Sequence, residues 1–220
     1  MKILFPLVLL CAYNCAGQQA PVPVDEEPHH KVLLKNEYVE VLRVTIPPGE
    51  KTLFHIHSHD NAGFDLVTSS TTDQLLGRPE QPVETSEAGD LYAKSQTEGP
   101  LVHRVRNVGK RAVEIFDVEF LKIPENPSPA AAAPVAAENR CARVYDWHLA
   151  PGTSSAMHAH DRPYLVVAVT PLKLKMTAPD GKSSTHEVVA GDFHWVDAKV
   201  THSLANDGAS EGQIVEFELK

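Results

Sequence analysis

The chain has 220 residues, of which 42% are hydrophobic and 22% charged, with a formal net charge of −9. That apolar content supports a buried core and excludes a disordered chain. The acidic balance, with no basic run of five or more, lacks the clustered Lys and Arg that nonspecific nucleic-acid binding needs, so no nucleic-acid partner is expected.

The opening MKILFPLVLLCAYNCAGQQAPVP reads as a secretory signal over residues 1–17. Lys2 supplies the positive start, Ile3 to Tyr13 the apolar run, and Cys15-Ala16-Gly17 the small residues, with cutting after Ala16 or Gly17. The expected location is therefore secreted or periplasmic. The apolar run is too short to cross a bilayer and nothing downstream approaches about 18 apolar residues, so no membrane span is expected. A lipid anchor is the competing reading, because Cys11 and Cys15 follow the run, but Asn14 sits awkwardly before Cys15. Removal of the leader leaves Cys141 alone, without a disulfide partner, as a structural residue. Residues 18–30, QQAPVPVDEEPHH, are polar and Pro-rich and read as an extended arm with His29-His30 in solvent.

Two segments follow, 31–124 and 139–220, separated at 125–138 by ENPSPAAAAPVAAE. That stretch reads as a linker, with Pro127, Pro129 and Pro134 opposing a helix through the alanines. Both segments carry short alternating runs, such as Val39-Glu40-Val41-Leu42-Arg43-Val44 and Leu172-Lys173-Leu174-Lys175-Met176. Period two predicts strands with one face in a core and the other in water. Turn signals at Pro47-Pro48-Gly49, Pro151-Gly152, Pro179-Asp180-Gly181 and Asp207-Gly208 separate them, and no helical stripe intervenes. The expected class is all-β, a sandwich or barrel.

The segments also match each other. Gly49, His55 and His57 correspond to Gly152, His158 and His160 at an offset of 103; Gly89-Asp90 corresponds to Gly191-Asp192 at 102; His103 and Asn107 correspond to His202 and Asn206 at 99. The endings IFDVEFLK and IVEFELK match too. This is an internal duplication. On a strand, residues i and i+2 share a face, so His55 and His57 project together, as do His158 and His160. Two imidazoles on one face suit a shared cation, with His103 or His202 arriving from another strand. His59 blurs the register: on a straight strand all three of His55, His57 and His59 face inward, and the glycine spacing favours the first two, leaving His59 as a base near the site or a surface residue.

These residues resemble the cupin motifs. GEKTLFHIH and GTSSAMHAH match the start of the first motif, a glycine, five residues and His-x-His. GDLYAKSQTEGPLVHRVRN and GDFHWVDAKVTHSLAN match the second loosely, a glycine, then a histidine followed four positions on by asparagine. The resemblance spans about 175 residues and implies two tandem double-stranded β-helix barrels, a bicupin. It also implies a divalent metal held by His55, His57 and His103 and by His158, His160 and His202. The family's glutamate after His-x-His is missing from both halves; Asn61 and Tyr164 stand there, weaker ligands through an amide or phenol oxygen. Without that carboxylate, Mn or Fe is held less tightly and Zn, Cu or Ni tolerated more readily. Arg162 is read as a turn residue or as a grip for a substrate carboxylate at the barrel mouth. If one barrel has lost its metal, the second is expected to have kept it.

Two functions compete. One is a metal-dependent enzyme, an oxidoreductase, dioxygenase or decarboxylase acting on a small organic acid, with His59 and Arg162 handling protons or substrate. The other is a non-catalytic binder of a small ligand or sugar. A homodimer is compatible with either.

Overall fold

The computed structural model describes residues 20–126, 134–197 and 199–220. The expected leader, with Cys11 and Cys15, and the middle of the expected linker lie outside the described residues.

The regular structure of the described residues is all strand except for one short 3-10 turn at Val24–Glu26. Each half folds as two facing sheets. In the first half, one sheet runs Val22–Pro23, His55–His57, Leu101–Asn107, Ser69–Leu75, Glu84–Ser86, and the other His30–Lys35, Val39–Ile46, Val113–Phe120, Asp60–Asp65, Leu91–Lys94. The second half repeats this order: Ala142–Leu149, Gly212–Leu219, Tyr164–Ala168 and Phe193–Val196 in one sheet, His158–His160, Val200–Asn206, Leu172–Thr177 and Ser183–Val188 in the other. Ala137–Glu138, expected in the linker, pairs as an edge strand with Arg143 and Val144.

The matched glycines and asparagines close the same corner twice. Gly49 and Gly152 adopt φ of 80° and 73°, where a Cβ is strained. Their amides donate to the carbonyls of Asn107 (3.1 Å) and Asn206 (2.8 Å). The Asn107 amide nitrogen donates to Ile46 O and Arg111 O; that of Asn206 donates to Leu149 O and Ser210 O.

The expectation that alternating strands keep one wet face holds for Leu172–Thr177, where Lys173 is exposed, and fails for the inner sheets. Asp60–Asp65 and Tyr164–Ala168 are buried at every position. The reason is that the two barrels pack face to face. Val41, Phe64, Phe116, Val118 and Phe120 of the first share one apolar cluster with Val144, Leu165, Val167, Val215 and Phe217 of the second. The Phe64 and Phe217 rings lie 6.4 Å apart, and Tyr38 stacks on Trp195 at 5.9 Å. One apolar side of each inner sheet thus faces the other barrel, and the opposite side faces its own barrel's interior, where in the second barrel Val166, Ala168 and Ile214 pack against Leu172, Leu174 and Leu204. Cys141 lies in this shared core, and burial pushes its thiol up to about 12.

The arm is docked rather than solvated. Val22 and Pro23 pair in parallel with His55 and Ile56. Glu27, 1% exposed, accepts from Leu53 N (3.0 Å) and bonds His30 Nδ1 (2.6 Å) and His29 Nδ1 (3.1 Å). Burial favours the neutral acid, yet these partners hold Glu27 down to about 2. The expected solvated His30 is instead buried, its ring 4.6 Å from that of His55.

Candidate metal centres

In the second barrel, His158–His160 pairs antiparallel with Val200–Asn206, placing His158 opposite His202. The period of two aims His158 and His160 inward, and the pairing register supplies the third ring. All three are at most 5% exposed. Nδ1 of His158 donates to Ala156 O at 3.0 Å, which leaves its Nε2 as a lone pair, and that Nε2 lies 3.0 Å from Nε2 of His202. Glu216, fully buried, stands over the group: Oε1 is 3.3 Å from His202 Nε2, and Oε2 is 3.4 and 3.5 Å from His158 and His160 Nε2. Ligand atoms about 3.0–3.4 Å apart are what a cation about 2.1 Å from each imposes. His160 Nε2 and Glu216 Oε1 are buried without a hydrogen-bond partner. The four residues therefore fit a three-histidine, one-carboxylate metal centre.

The surroundings fix it. Trp147 stacks on His158 (4.7 Å) and donates Nε1–H to Glu216 Oε2 at 2.7 Å. Glu218 Oε1 is 3.3 Å from His160 Nδ1 and its other oxygen accepts from Tyr145 at 2.9 Å. Such partners orient a metal-bound imidazole and raise its basicity. Burial alone would lower His160, but Glu216 and Glu218 outweigh it and raise the ring to about 9. Burial alone would raise Glu216, but the three histidines hold it well below the carboxylate range.

In the first barrel, His55 lies opposite His103. The ring centroids of His55, His57 and His103 are 4.6–5.1 Å apart and all three are buried. Each Nδ1 is engaged: His55 with Leu53 O (3.0 Å), His57 with Glu119 Oε1 (2.6 Å), His103 with Asp73 Oδ2 (2.7 Å). This leaves every Nε2 available, and that of His103 is buried without a partner. Burial, helped by the neighbouring His103, His30 and His57, lowers His55 to about 2, so it stays neutral, the form that binds metal. The position of Glu216 is taken here by Asp117. One methylene shorter, it accepts instead from Asn61 Nδ2 (3.0 Å) and the Tyr92 hydroxyl (2.6 Å). This centre offers three histidines.

The absence of a carboxylate from both halves is thus corrected for the second, where Glu216 arrives from the final strand rather than from the segment after His-x-His. The matched endings held the signal: Asp117/Glu216 and Glu119/Glu218 alternate as acids in otherwise apolar strands. Asn61 and Tyr164 occupy equivalent places, each opposite the second acid of the last strand. Asn61 bonds Asp117, and Tyr164 stacks on His160 at 3.9 Å, its hydroxyl buried without a partner. His59 is not inward. The strand ends at His57, Asp60 begins a strand of the other sheet, and the His59 side chain is 45% exposed with Nδ1 3.8 Å from Glu119 Oε2. Arg162 does not reach the barrel mouth; its Nη2 donates to Asn126 O at 2.8 Å in a surface cleft with Tyr38 and Lys122.

The two cavities differ as well. That of the first barrel, about 150 Å³, is lined by all three histidines together with Asn61, Lys94 and Asp117. That of the second, about 650 Å³, is lined mainly by aliphatic side chains and includes none of its four metal-binding residues.

No family model matches the chain. A curated relative, the beta-alanine degradation protein BauB of Pseudomonas aeruginosa, is 34% identical over 92 residues, which is 42% of this chain and 96% of the relative. Among solved structures, the Cupin 2 conserved barrel domain protein from Leptotrichia buccalis matches 87% of this chain and 88% of its own, with a TM-score of 0.54 at 9% identity. Bacillus subtilis oxalate decarboxylase, in a study of its Mn(II) centres, matches 83% of this chain and 69% of its own, with a TM-score of 0.51 at 14% identity. The chain belongs to the cupin superfamily. It is a tandem cupin, and its buried histidine and carboxylate groups can hold metal.

Proposed function

We propose that the protein is an exported metal-dependent enzyme that transforms a small organic acid in its first barrel, while the second barrel holds a closed, structural metal. The observation that carries this reading is the contrast in access. Three imidazoles line a polar cavity in the first barrel, whereas in the second a buried carboxylate completes the set and none of the four residues lines the cavity of about 650 Å³. A structural metal site is closed, and a catalytic one keeps positions open.

A divalent metal (Mn, Fe, Zn, Ni or Cu) held by His55, His57 and His103 would supply a Lewis acid to the substrate. The chain's own groups do the rest. Glu119 and Asp73 hold the His57 and His103 rings, Lys94 offers a positive charge to a carboxylate, and the Asp117–Tyr92 hydrogen bond places a proton at the cavity wall. The likeness to oxalate decarboxylase supports an oxidoreductase or decarboxylase type of reaction. Export rests on the N-terminal residues read above.

The test is metal content by elemental mass spectrometry on untagged protein, beside His55→Ala and His158→Ala, followed by incubation with short carboxylic acids while oxygen uptake and carbon dioxide release are recorded. Two metals per chain, one lost in each variant, with turnover abolished by His55→Ala, is the expected result. Metal without turnover on any acid would leave the second reading, a non-catalytic small-ligand or sugar binder, which the missing carboxylate of the first barrel favours. No metal in the wild type sinks both roles for the histidines.

A further inference from the structure

Strand register makes the two cavities directly comparable. Asp65, Thr71, Asp73, Ser86 and Lys94 of the first barrel occupy the positions of Ala168, Leu174, Met176, Val188 and Val196 in the second. The second barrel folds with aliphatic side chains at these places, so the fold does not demand the polar ones. They are a property of the first cavity, and their chemistry describes what it holds.

Two buried acceptors of that cavity have no donor. Asp117, 2% exposed, spends one oxygen on Asn61 and Tyr92; its other oxygen, Oδ2, is buried and unbonded. Asn61, 4% exposed, gives its amide nitrogen to Asp117, which can only accept while ionised, so its oxygen must face away; that Oδ1 is also buried and unbonded. Both residues line the cavity. A buried acceptor left unmet is costly, and native structures rarely leave one without a reason. At the mouth stands the opposite charge, Lys94, its Nζ 5.5 Å from the Tyr92 ring centre. A volume of about 150 Å³ equals roughly five waters at ~30 Å³ each, the bulk of a three- or four-carbon molecule.

We infer that the first barrel recognises a small amino acid with separated charges, its ammonium group donating to Asn61 Oδ1 and Asp117 Oδ2 and its carboxylate facing Lys94. This rests on the small-acid reading of the site and adds the cationic end. A second metal ion is the rival occupant, since His57, Asp117 and Glu119 also cluster. Against it, His57 Nδ1 is already bonded to Glu119 at 2.6 Å.

The test is isothermal titration of the full chain, metal-loaded and chelator-treated, with β-alanine, propionate and propylamine as probes. Variants are Asp117→Asn and Lys94→Val, the latter placing in the first barrel the residue its twin already carries. The inference expects β-alanine to bind more tightly than either one-ended analogue, and each variant to weaken it roughly ten- to a hundredfold. Lys94→Val should not weaken propylamine, since it removes a like charge, which separates a lost contact from a lost fold. Propionate binding as tightly as β-alanine, indifferent to Asp117→Asn, would overturn the ammonium site while leaving an acid-binding metal centre intact. Three metals per chain with no amino-acid binding would assign the acceptors to a cation and overturn it too. β-alanine binding to protein that takes up no metal would sustain the inference and remove the metal-dependent function.

Discussion

Asp117 and Glu216 stand at the same position in the last strand of their barrels, and one methylene separates their roles. The longer side chain faces three imidazoles at 3.3–3.5 Å, and the shorter one is caught by Asn61 and Tyr92. Asp117→Glu should therefore give the first barrel a fourth ligand. Its metal affinity, measured by chelator competition, should rise about tenfold or more, because a carboxylate neutralises part of the cation's charge where three neutral imidazoles do not.

Glu216→Gln should do the reverse in the second barrel. Metal retention should fall, and the chelated protein should lose about 3–5 kcal/mol in urea unfolding, because His160 loses its buried counter-charge. Unchanged stability would show that Glu216 does not balance the histidines.

Glu119 holds Nδ1 of His57 at 2.6 Å without itself reaching the three-histidine group. Replacing it with Gln should weaken metal binding in the first barrel roughly ten- to a hundredfold and leave the second barrel's metal in place. Metal counts per chain at limiting metal concentration would read this directly.

Without metal, the protein should lose stability on the alkaline side. His160 is raised from 6.5 to about 9, so its contribution is complete below pH 6.5 and is lost as pH climbs through about 9, an effect of about 3 kcal/mol. Glu119, raised to about 10 by burial and by the nearby Asp117 and Glu40, disfavours its own ionisation in the folded state and pulls the same way over that range. His55, held near 2, acts in the opposite sense, since the unfolded chain takes up its proton below pH 6.5. Unfolding of chelator-treated protein at pH 6.5 and pH 9 should show the loss, and added metal should largely abolish it, because a cation replaces the proton.

The barrels should not separate cleanly. Cutting at the linker would expose Phe64, Phe116, Phe120 and Phe217, all at most 1% exposed in the chain. The segment 20–126 alone should self-associate or aggregate in size-exclusion chromatography, and a well-behaved monomer would contradict the shared core.

The histidines were legible because strand geometry makes i, i+2 spacing a statement about direction, and because duplication repeated it. His103 and His202 followed from the same repeat. Glu216 was not legible by proximity: the barrel brings it from 56 residues beyond His160, and an acid in an apolar strand looks like its solvent side until the packing shows that neither side is wet. His59 misled because alternation presumes that the strand continues, and this one stops at His57. His30 was hidden because its burial depends on Glu27 gripping Leu53, a contact across 26 residues.

The face-to-face packing of the inner sheets has an evolutionary consequence. Each barrel is a wall of the other's core, so a copy that abandons its chemistry is still preserved by selection for a folded chain. Its interior is then free to drift. The cavity positions where the first barrel carries acids, hydroxyls and a lysine and the second carries aliphatic side chains show how far two interiors can differ beneath one shared core.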